Sequence, residues 1–295
     1  MRILCFDIGG TAIKIGVVDE NGNIVYNNEM ITNAQDGGEI LINRILNEIG
    51  YHKNIDRVGI STAGQIDFKS GRVIFASDNL PGWTGMEIKK RIEDRYSILT
   101  AVENDVNAAA LGEAYFGAGK GVSNFICLTY GTGIGGALVE NGEISRGASG
   151  SAGEFGHMIT HGGGLNCTCG GKGCYETYAS TSALIRNIKK NFNRTDNING
   201  RDIFKKILEG NEEYIKIVDN WMEEVMIGLV SIIHINNPSL IVLGGGIMQQ
   251  EYILNFLQNN IKKYIMPNFR IIELKTTTLG NFAGLIGVSI LARRG

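Results

Sequence analysis

The sequence contains few prolines and no long apolar run, and both absences narrow the class of protein. Three prolines stand against 41 glycines in 295 residues, so glycine is expected to form most of the tight turns. No stretch approaches the ~18 apolar residues that a membrane-spanning helix needs. The first residues, MRILCFDIGG, lack the charged segment and apolar run of a secretory signal. We therefore expect a cytoplasmic globular protein.

The balance of charge and the cysteine count exclude further classes. The 28 basic and 30 acidic residues nearly cancel, and no basic block is interleaved with aromatic residues, which argues against a nucleic-acid surface. Five cysteines are an odd number, and a reducing compartment does not maintain a disulfide framework. Each cysteine is expected to bind a metal ion or to lie in the core. With 43% hydrophobic residues, the chain is long enough for two domains with real cores.

One order of strands and glycine turns occurs twice along the chain. ILCFDI is followed by GGT, AIKIGVV, an Asn-Gly turn and IVYNNEM; between 125 and 144, FICLTY is followed by GTGIGG, ALV, ENG and EI. Asn-Gly between alternating apolar runs is typical of a β-hairpin. We interpret the repeat as two α/β domains, residues 1–115 and 116–280, with an apolar helix at 281–295 that packs back on the first. The equivalent Cys5 and Cys127 are predicted to be core residues.

Other segments supply the remaining predicted elements. RVGISTAG (57–64) indicates a buried strand that ends in a glycine turn, and 97–119 indicates a strand followed by a helix that begins near Asp105. Helical apolar spacing covers 179–192 and 202–234, and SLIVLGGGI (239–247) indicates a strand that ends in glycines.

Two glycine turns occupy matching places in the repeat, at 7–11 and 131–136. The first, DIGGT with Lys14 nearby, offers open backbone amides, a hydroxyl, a carboxylate and a cation. Such amides can hold phosphate oxygens, and Asp7 can hold magnesium through water. A single turn is equally well explained as a hairpin that needs glycine for positive φ, but two matching turns favour a phosphate clamp. A third turn, LGGG at 243–246, suits either the adenosine end of a nucleotide or a plain helix start.

The spacing of these glycines excludes two common nucleotide motifs. It does not match the P-loop pattern GxxxxGK[ST]. GTGIGG also does not open a long helix in a βαβ unit, which a dinucleotide fingerprint requires.

Asp105 is the candidate general base for a phosphoryl transfer. VENDVNAAALGE places Asn104 and Asp105 at a strand-to-helix junction. A base must lie within hydrogen-bond reach of the hydroxyl that it deprotonates, and Asn104 would fix a sugar hydroxyl beside it. The alternative is that Asp105 only caps the helix.

The segment EFGHMITHGGGLNCTCGGKGCYE predicts a metal site. Cys167, Cys169 and Cys174, with a histidine, form a ligand set that is usual for structural zinc. The fourth ligand is either His157 or His161, and the residues alone leave both open. Three reduced surface cysteines would be the structural explanation without a metal.

Three further residues each leave a sugar-binding explanation and a structural explanation open. Glu154 and Glu176 flank the metal loop, so they are either sugar-hydroxyl acceptors or ordinary solvated acids. Trp83 in PGW either stacks on a pyranose ring or packs in the core.

These motifs together resemble a known family. DIGGT with Lys14, STAG, DNLPGW, ENDVNAAALGE, GTGIGG, GEFGHM and CTCGGKGCYE are similar to the ROK family of bacterial sugar kinases and sugar-responsive repressors. The resemblance covers residue 3 to about 288. It implies an actin-like ATPase (ribonuclease H-like) fold of two α/β lobes with a cleft between them. It also implies ATP and magnesium as co-substrates, a structural zinc ion and a homodimer.

The resemblance assigns roles residue by residue. The base falls on Asp105, and the zinc ligands fall on His157, Cys167, Cys169 and Cys174. The sugar-binding groups fall on Gly64, Asn79, Asn104, Asp105, Glu154, His157 and Glu176. The ATP contacts fall on Asp7, Gly9, Gly10, Thr11 and Lys14, on Gly131, Thr132, Gly133, Gly135 and Gly136, and on Gly244, Gly245 and Gly246.

The function expected from the resemblance is an ATP-dependent kinase of a sugar 6-hydroxyl. Glucose and N-acetylmannosamine are favoured, while fructose, N-acetylglucosamine and β-glucosides are the other substrates used in the family. The alternatives are a sugar-sensing repressor or a sugar-binding protein without turnover. Family repressors carry a DNA-binding region before the kinase-like part, and because the first predicted strand starts at residue 3, we expect none here.

Overall fold

The computed structural model describes residues 1–294, so Gly295, the last residue of the predicted helix 281–295, lies outside the described residues. The strands are β1 Ile3–Ile8, β2 Ala12–Val18, β3 Ile24–Ile31, β4 Arg57–Thr62, β5 Gln65–Asp67, β6 Arg72–Phe75, β7 Thr100–Asn104, β8 Phe125–Tyr130, β9 Ile134–Glu140, β10 Glu143–Ser145, β11 Leu240–Gly244 and β12 Glu273–Thr276. The α-helices are α1 Gly38–Tyr51, α2 Ile88–Tyr96, α3 Asp105–Phe116, α4 Glu176–Ala179, α5 Thr181–Asn191, α6 Gly200–Leu208, α7 Glu212–Asn236, α8 Glu251–Tyr264 and α9 Ala283–Arg294.

The two large sheets have the same strand order, which confirms the predicted duplicated α/β fold. The first sheet runs β3-β2-β1-β4-β7 and the second runs β10-β9-β8-β11-β12. In the first, β1 pairs antiparallel with β2 and parallel with β4. In the second, β11 pairs parallel with both β8 and β12. Each sheet thus begins with a hairpin and continues with parallel strands, whose carboxyl ends meet at one edge.

The chain forms two compact units by internal contacts. Unit 1 comprises Met1–Ser123, Leu138–Ala152 and the segment from Thr278 onward. Unit 2 comprises Asn124–Ala137 and Gly153–Thr277.

Alternation along β1 explains the layers of unit 1. Leu4, Phe6 and Ile8 belong to one apolar cluster with residues of α1 and α2, whereas Ile3 and Cys5 belong to another with residues of α3 and α9. Successive side chains of a strand point to opposite faces, so β1 supplies both cores. Helices therefore cover both faces of the first sheet.

Small residues allow α3 and α9 to approach closely in unit 1. A Cβ atom on Gly287 would lie 1.6 Å from the backbone oxygen of Ala108, and one on Gly112 would lie 2.6 Å from that of Ala283. Only glycine permits backbone contact this close. Helix α9 thereby packs against the helix that begins with Asp105.

The structure differs from the sequence prediction in the helical region 202–234. Two helices occupy it, because α6 ends at Leu208 and α7 begins at Glu212. Gly210 has a φ of +77°, and the Asn211 side chain accepts a hydrogen bond from the Tyr214 amide and caps α7. A glycine in the left-handed region followed by an asparagine cap is a helix stop and a helix start.

Several elements were absent from the prediction, namely α1, α2, α4, α8, β5, β6 and β12. The predicted core positions Cys5 and Cys127 are confirmed, since both side chains are fully buried. Among residues 1–294, no helix is long and apolar enough to cross a membrane.

Candidate active site

The predicted base lies at the first turn of α3 in unit 1, directly after β7. The cap of this helix is Asn104, whose side-chain oxygen accepts hydrogen bonds from the amides of Val106 and Asn107 at 2.9 and 3.1 Å. Capping is therefore the role of Asn104, and Asp105 is the first helical residue. The Asp105 carboxylate is not needed as the N-terminal cap of α3, so it is available for chemistry.

Hydrogen bonds orient the Asp105 carboxylate through one of its oxygens. Oδ1 accepts from the Asn104 side-chain amide at 3.0 Å and from the Val106 amide at 3.0 Å. Burial, together with the negative charge of Asp7, raises the pKa of Asp105 to about 6. A carboxylate of this pKa is still ionised at neutral pH and is a stronger base than an exposed aspartate.

Asp7 is the next-to-last residue of β1 and is held by residues on both neighbouring strands. Its pairing partner on β2 is Lys14, whose Nζ lies 3.2 Å from Oδ2. Ser61 on β4 donates from Oγ to Oδ1 at 2.7 Å. This carboxylate is therefore fixed, with a cation beside it, at the carboxyl end of a central strand, a usual place for a phosphate or metal site in α/β sheets.

The turn after Asp7 is open where the prediction requires it. Gly10 and Thr11 are exposed. The Thr32 side chain and amide hold the turn through the carbonyl oxygens of Gly9 and Thr11 at 2.6 and 2.9 Å. These hydrogen bonds fix the backbone of the turn, and its exposed residues remain accessible to a ligand.

The structure brings Gly64 to the Asp105 junction. The Gly64 carbonyl oxygen accepts a hydrogen bond of 2.9 Å from the Asn104 side-chain amide. Gly64 has a φ of +111°, and a Cβ atom there would lie 2.7 Å from the Phe75 carbonyl oxygen, so glycine is required. Asn79 is exposed and lies beside the first glycine turn, since a Cβ atom on Gly10 would be 3.7 Å from its carbonyl oxygen.

The second glycine turn links β8 and β9 in unit 2. Gly131 and Thr132 are exposed, while Gly133, Gly135 and Gly136 are partly buried. Glu176, at the start of α4, accepts a hydrogen bond of 3.3 Å from the Ile134 amide. The turn therefore presents exposed backbone at one end and contacts a predicted sugar-binding carboxylate at the other.

The glycines after β11 form a third turn in unit 2. A Cβ atom on Gly245, which has a φ of +99°, would lie 2.1 Å from the Tyr130 carbonyl oxygen. Gly244 is buried, whereas Gly246 is exposed and has open space at its Cβ position. Only the end of this turn is free to lie against a ligand.

The cysteine loop of unit 2 brings together a set of candidate metal ligands. Candidate ligand atoms of His157, Cys167, Cys169 and Cys174 all lie within 4.8 Å of one another. The sulfurs of Cys169 and Cys174 are 3.6 Å apart, and the Cys167 sulfur lies 3.7 Å from His157 Nδ1. Three sulfurs and an imidazole nitrogen at this separation fit tetrahedral zinc. Partial burial raises the pKa of the Cys167 thiol to about 12 and so favours the protonated form. A bound dication would instead favour the deprotonated thiolate.

His161, the alternative fourth ligand, lies outside this set. Its ring stacks on Tyr178 with the centroids 3.8 Å apart, and its Nε2 lies 3.5 Å from the Glu224 carboxylate. The geometry therefore favours His157 as the ligand.

His157 lies between the two predicted sugar-binding glutamates. Its Nδ1 is 3.8 Å from Glu176 Oε1, and its Nε2 is 3.8 Å from Glu154 Oε2. The Cys167 thiol also donates to Glu176 Oε1 at 3.1 Å. Unit 2 thus places the candidate metal ligands close to both glutamates.

Trp83 packs in the core and is unavailable for stacking on a sugar. Its side chain is fully buried, and Nε1 donates to Thr62 Oγ1 at 3.0 Å.

The sequence prediction also missed Ser61, Glu103 and Arg146. Ser61 could have been found from the sequence, because it belongs to the STAG motif at the end of a buried strand. No feature of the sequence indicates the contact between Glu103 and Arg146.

Comparison with known proteins identifies the family. A glucokinase of Streptomyces coelicolor is 34% identical over 97% of this chain and 96% of its own. A ROK family glucokinase from Streptomyces griseus, solved with glucose and AMPPNP, matches at 32% identity and a TM-score of 0.88 over all of both chains. A putative N-acetylmannosamine kinase from Listeria monocytogenes matches at 27% identity and a TM-score of 0.90 over 100% of this chain and 99% of its own.

These structural matches confirm the actin-like ATPase fold. The ROK family model matches residues 3–295. The chain therefore belongs to the ROK family.

Proposed function

We propose that this protein is an ATP-dependent kinase that phosphorylates the 6-hydroxyl of a hexose or N-acetylhexosamine, with glucose and N-acetylmannosamine as the favoured substrates. The coarser statement, an ATP-dependent hexose kinase, rests on the glucokinase relative and on the ROK glucokinase structure that holds glucose and AMPPNP. The finer statement rests on the geometry around Asp105.

The observation that carries the proposal is the Asp105 carboxylate. It is oriented by Asn104, and its raised pKa suits proton abstraction at neutral pH. In the proposed reaction, Asp105 accepts the proton of the sugar 6-hydroxyl while that oxygen attacks the γ-phosphorus of ATP. The bond between the γ-phosphorus and the β–γ bridging oxygen breaks, and ADP leaves.

The remaining site residues would position the two substrates. We assign sugar hydroxyls to Gly64, Asn79 and Asn104 of unit 1 and to Glu154, His157 and Glu176 of unit 2. Neutral amides and carboxylates supply the donors and acceptors that hydroxyls need. Phosphate contacts are assigned to the exposed glycine turns and to Lys14, whose charge would offset that of the transferred group.

Two metal ions fit the chain's own donor groups. The Asp7 carboxylate suits magnesium, which is commonly held by one or two carboxylates and the substrate phosphates; bound there, it would neutralise phosphate charge. His157, Cys167, Cys169 and Cys174 suit structural zinc. The zinc site would fix the loop that carries Glu154 and Glu176, and it has no part in the phosphoryl transfer.

The test is ADP release measured across a panel of sugars. Glucose, N-acetylmannosamine, fructose, N-acetylglucosamine and a β-glucoside are each supplied with ATP and magnesium, and the phosphorylated carbon is identified by NMR. We expect turnover with glucose or N-acetylmannosamine and phosphate on carbon 6. Calorimetric sugar binding without ADP release would refute the kinase proposal and favour a non-catalytic sugar-binding protein or a repressor.

We also infer a homodimer, as the ROK resemblance implies. Light scattering after size-exclusion chromatography would show about twice the 32.0 kDa chain mass. A monomer at assay concentration would contradict this inference and leave the kinase proposal unaffected.

A further inference from the structure

In unit 1, an ion pair with Arg146 involves Glu103, which lies two positions before the proposed base. Arg146, which follows β10, approaches Glu103 with Nε at 3.0 Å and Nη2 at 2.5 Å from Oε2. The Glu103 side chain is almost fully buried. Removing one partner of such a pair leaves an uncompensated buried charge, which is strongly destabilising.

Glu103 connects this ion pair to the catalytic junction. Its second oxygen, Oε1, accepts hydrogen bonds from the Asn104 amide at 2.9 Å and from the Asn107 side-chain amide at 3.1 Å. One carboxylate oxygen therefore holds the turn from β7 into α3, and the other holds Arg146. Charge-assisted hydrogen bonds of this kind are stronger than neutral ones and fix the geometry of the groups they join.

Arg146 makes further contacts with two other segments of unit 1. Its guanidinium carbon lies 4.1 Å from the centre of the Phe68 ring, a cation–π contact. Its backbone oxygen accepts from the Ala152 amide at 3.1 Å, which closes the loop 146–152.

Each of the three segments that Arg146 joins is adjacent in sequence to a proposed sugar-binding residue. Glu103 precedes Asn104, and Phe68 follows the short strand β5 that begins after Gly64. The loop closed at Ala152 ends two positions before Glu154. Arg146 therefore contacts all three segments, two of them through its side chain and the loop 146–152 through its backbone oxygen.

We propose that Arg146 is a positioning residue: through Glu103 and Phe68 it fixes Asn104 and Asp105 for sugar binding and proton abstraction. The inference rests on the proposed kinase function. Arg146 has no assigned contact with ATP, so its effect falls on the sugar and on the chemical step.

The test compares Arg146→Met with Arg91→Met. Arg91 also forms a two-point ion pair, with Glu39, but on the surface of unit 1. Because a small misplacement of a reacting group can cost about 100-fold in rate, Arg146→Met is expected to lower kcat by about that factor. The sugar KM should rise and the ATP KM should stay unchanged. Arg91→Met should match the wild type, because exposed pairs contribute little.

A second substitution separates positioning from a general loss of structure. Glu103→Gln combined with Arg146→Met removes the uncompensated charge and should recover about tenfold of the lost kcat, as expected for residues that act through one contact. If Arg146→Met does not fold, Arg146→Lys replaces it, with an expected kcat loss of about tenfold because lysine lacks the planar fork.

Specific results would overturn the inference. They are a folded Arg146→Met or Arg146→Lys variant with wild-type kcat and sugar KM, a double variant no better than Arg146→Met, or a loss confined to the ATP KM. A wild-type protein without ADP release on any sugar would instead refute the proposed function. The role of Arg146 would then be judged from sugar affinity measured by calorimetry.

Discussion

The side-chain amide of Asn104 donates hydrogen bonds to Asp105 Oδ1 at 3.0 Å and to the Gly64 carbonyl oxygen at 2.9 Å. Its oxygen at the same time caps α3. One asparagine therefore starts the helix, orients the proposed base and holds a glycine turn. These tasks are chemically separable, because capping needs an acceptor and the other two need a donor.

Substituting Asn104 separates these tasks. Asn104→Ala removes the cap as well as the donor and should lower the free energy of unfolding by about 1 kcal/mol. Asn104→Ser keeps a capping oxygen, so its stability should remain near that of the wild type. Both variants should show a raised sugar KM, because both lose the amide that holds Gly64 and Asp105. Urea unfolding and steady-state kinetics measure the two effects, and a serine variant with wild-type sugar KM would contradict the orienting role.

The raised pKa of Asp105 predicts the acid limb of the pH profile. The base acts in its ionised form, so kcat/KM should fall tenfold per pH unit below about 6, the pKa that burial and Asp7 produce. An aspartate with an ordinary pKa would keep the activity constant down to about pH 4. The measurement is kcat/KM between pH 4.5 and 8, limited to pH values at which circular dichroism shows a folded protein.

The same shift predicts how Asp105 affects stability. The folded pKa of about 6 lies above the unfolded value, so the folded state binds more protons between about pH 4 and 6. The contribution of this group to the free energy of unfolding therefore decreases as pH rises through that window. At pH 7.5, Asp105→Asn should raise the melting temperature, and a lowered melting temperature would show that the ionised carboxylate is stabilising.

Zinc removal tests the link between the cysteine loop and sugar binding. Cys169→Ser should reduce the zinc content measured by mass spectrometry, because it removes one of the ligands whose donor atoms lie within 4.8 Å. Calorimetric sugar affinity should weaken as well, since His157 contacts both glutamates. Cys127→Ser in the buried strand β8 is a control for cysteine loss alone. A protein that lost zinc yet kept its sugar affinity would contradict the coupling.

Glu113 offers a stability prediction away from the chemistry. This fully buried carboxylate of α3 accepts from the amides of Thr278 and Leu279 at 2.9 Å each and from the Ala118 amide at 2.7 Å. Glu113→Gln turns an acceptor into a donor facing donors, and should cost about 2–3 kcal/mol in the free energy of unfolding. The control Glu209→Gln, at an exposed pair with Lys206, should leave the free energy of unfolding close to that of the wild type. Equal losses would show that Glu113 is not a buried anchor.

Local patterns were sufficient to predict the hairpins, the glycine turns and the start of α3. The Asn-Gly turns and the alternation of apolar residues report backbone geometry within a few positions. The clustering of the candidate metal ligands could also be predicted, because all of them fall within one short segment. Helix α1 was absent from the prediction although its sequence carries the same kind of local signal. Its apolar residues Leu41, Ile42, Ile45 and Ile49 are buried on one face.

Contacts between distant segments could not be predicted in this way. The ion pair of Glu103 and Arg146 joins residues 43 positions apart, and nothing in either local sequence distinguishes them from surface charges. The burial of Trp83 also depends on distant packing, as its bond to Thr62 shows. The sequence also could not decide whether Asn104 or Asp105 caps α3, because a helix boundary predicted from sequence is uncertain by one or two residues.

The most direct test of the account is the turnover of Asp105→Asn measured together with its sugar affinity. The substitution keeps the size of the side chain and one oxygen that can still accept from Asn104 and Val106, but it removes the base. We expect kcat to fall by about 10²–10⁴-fold, the range for loss of general-base catalysis, while calorimetric sugar affinity stays within a few-fold of wild type. Asp94→Asn on the exposed part of α2 should leave both unchanged. Near-normal turnover of Asp105→Asn with intact sugar binding would contradict the assignment of Asp105 as the base.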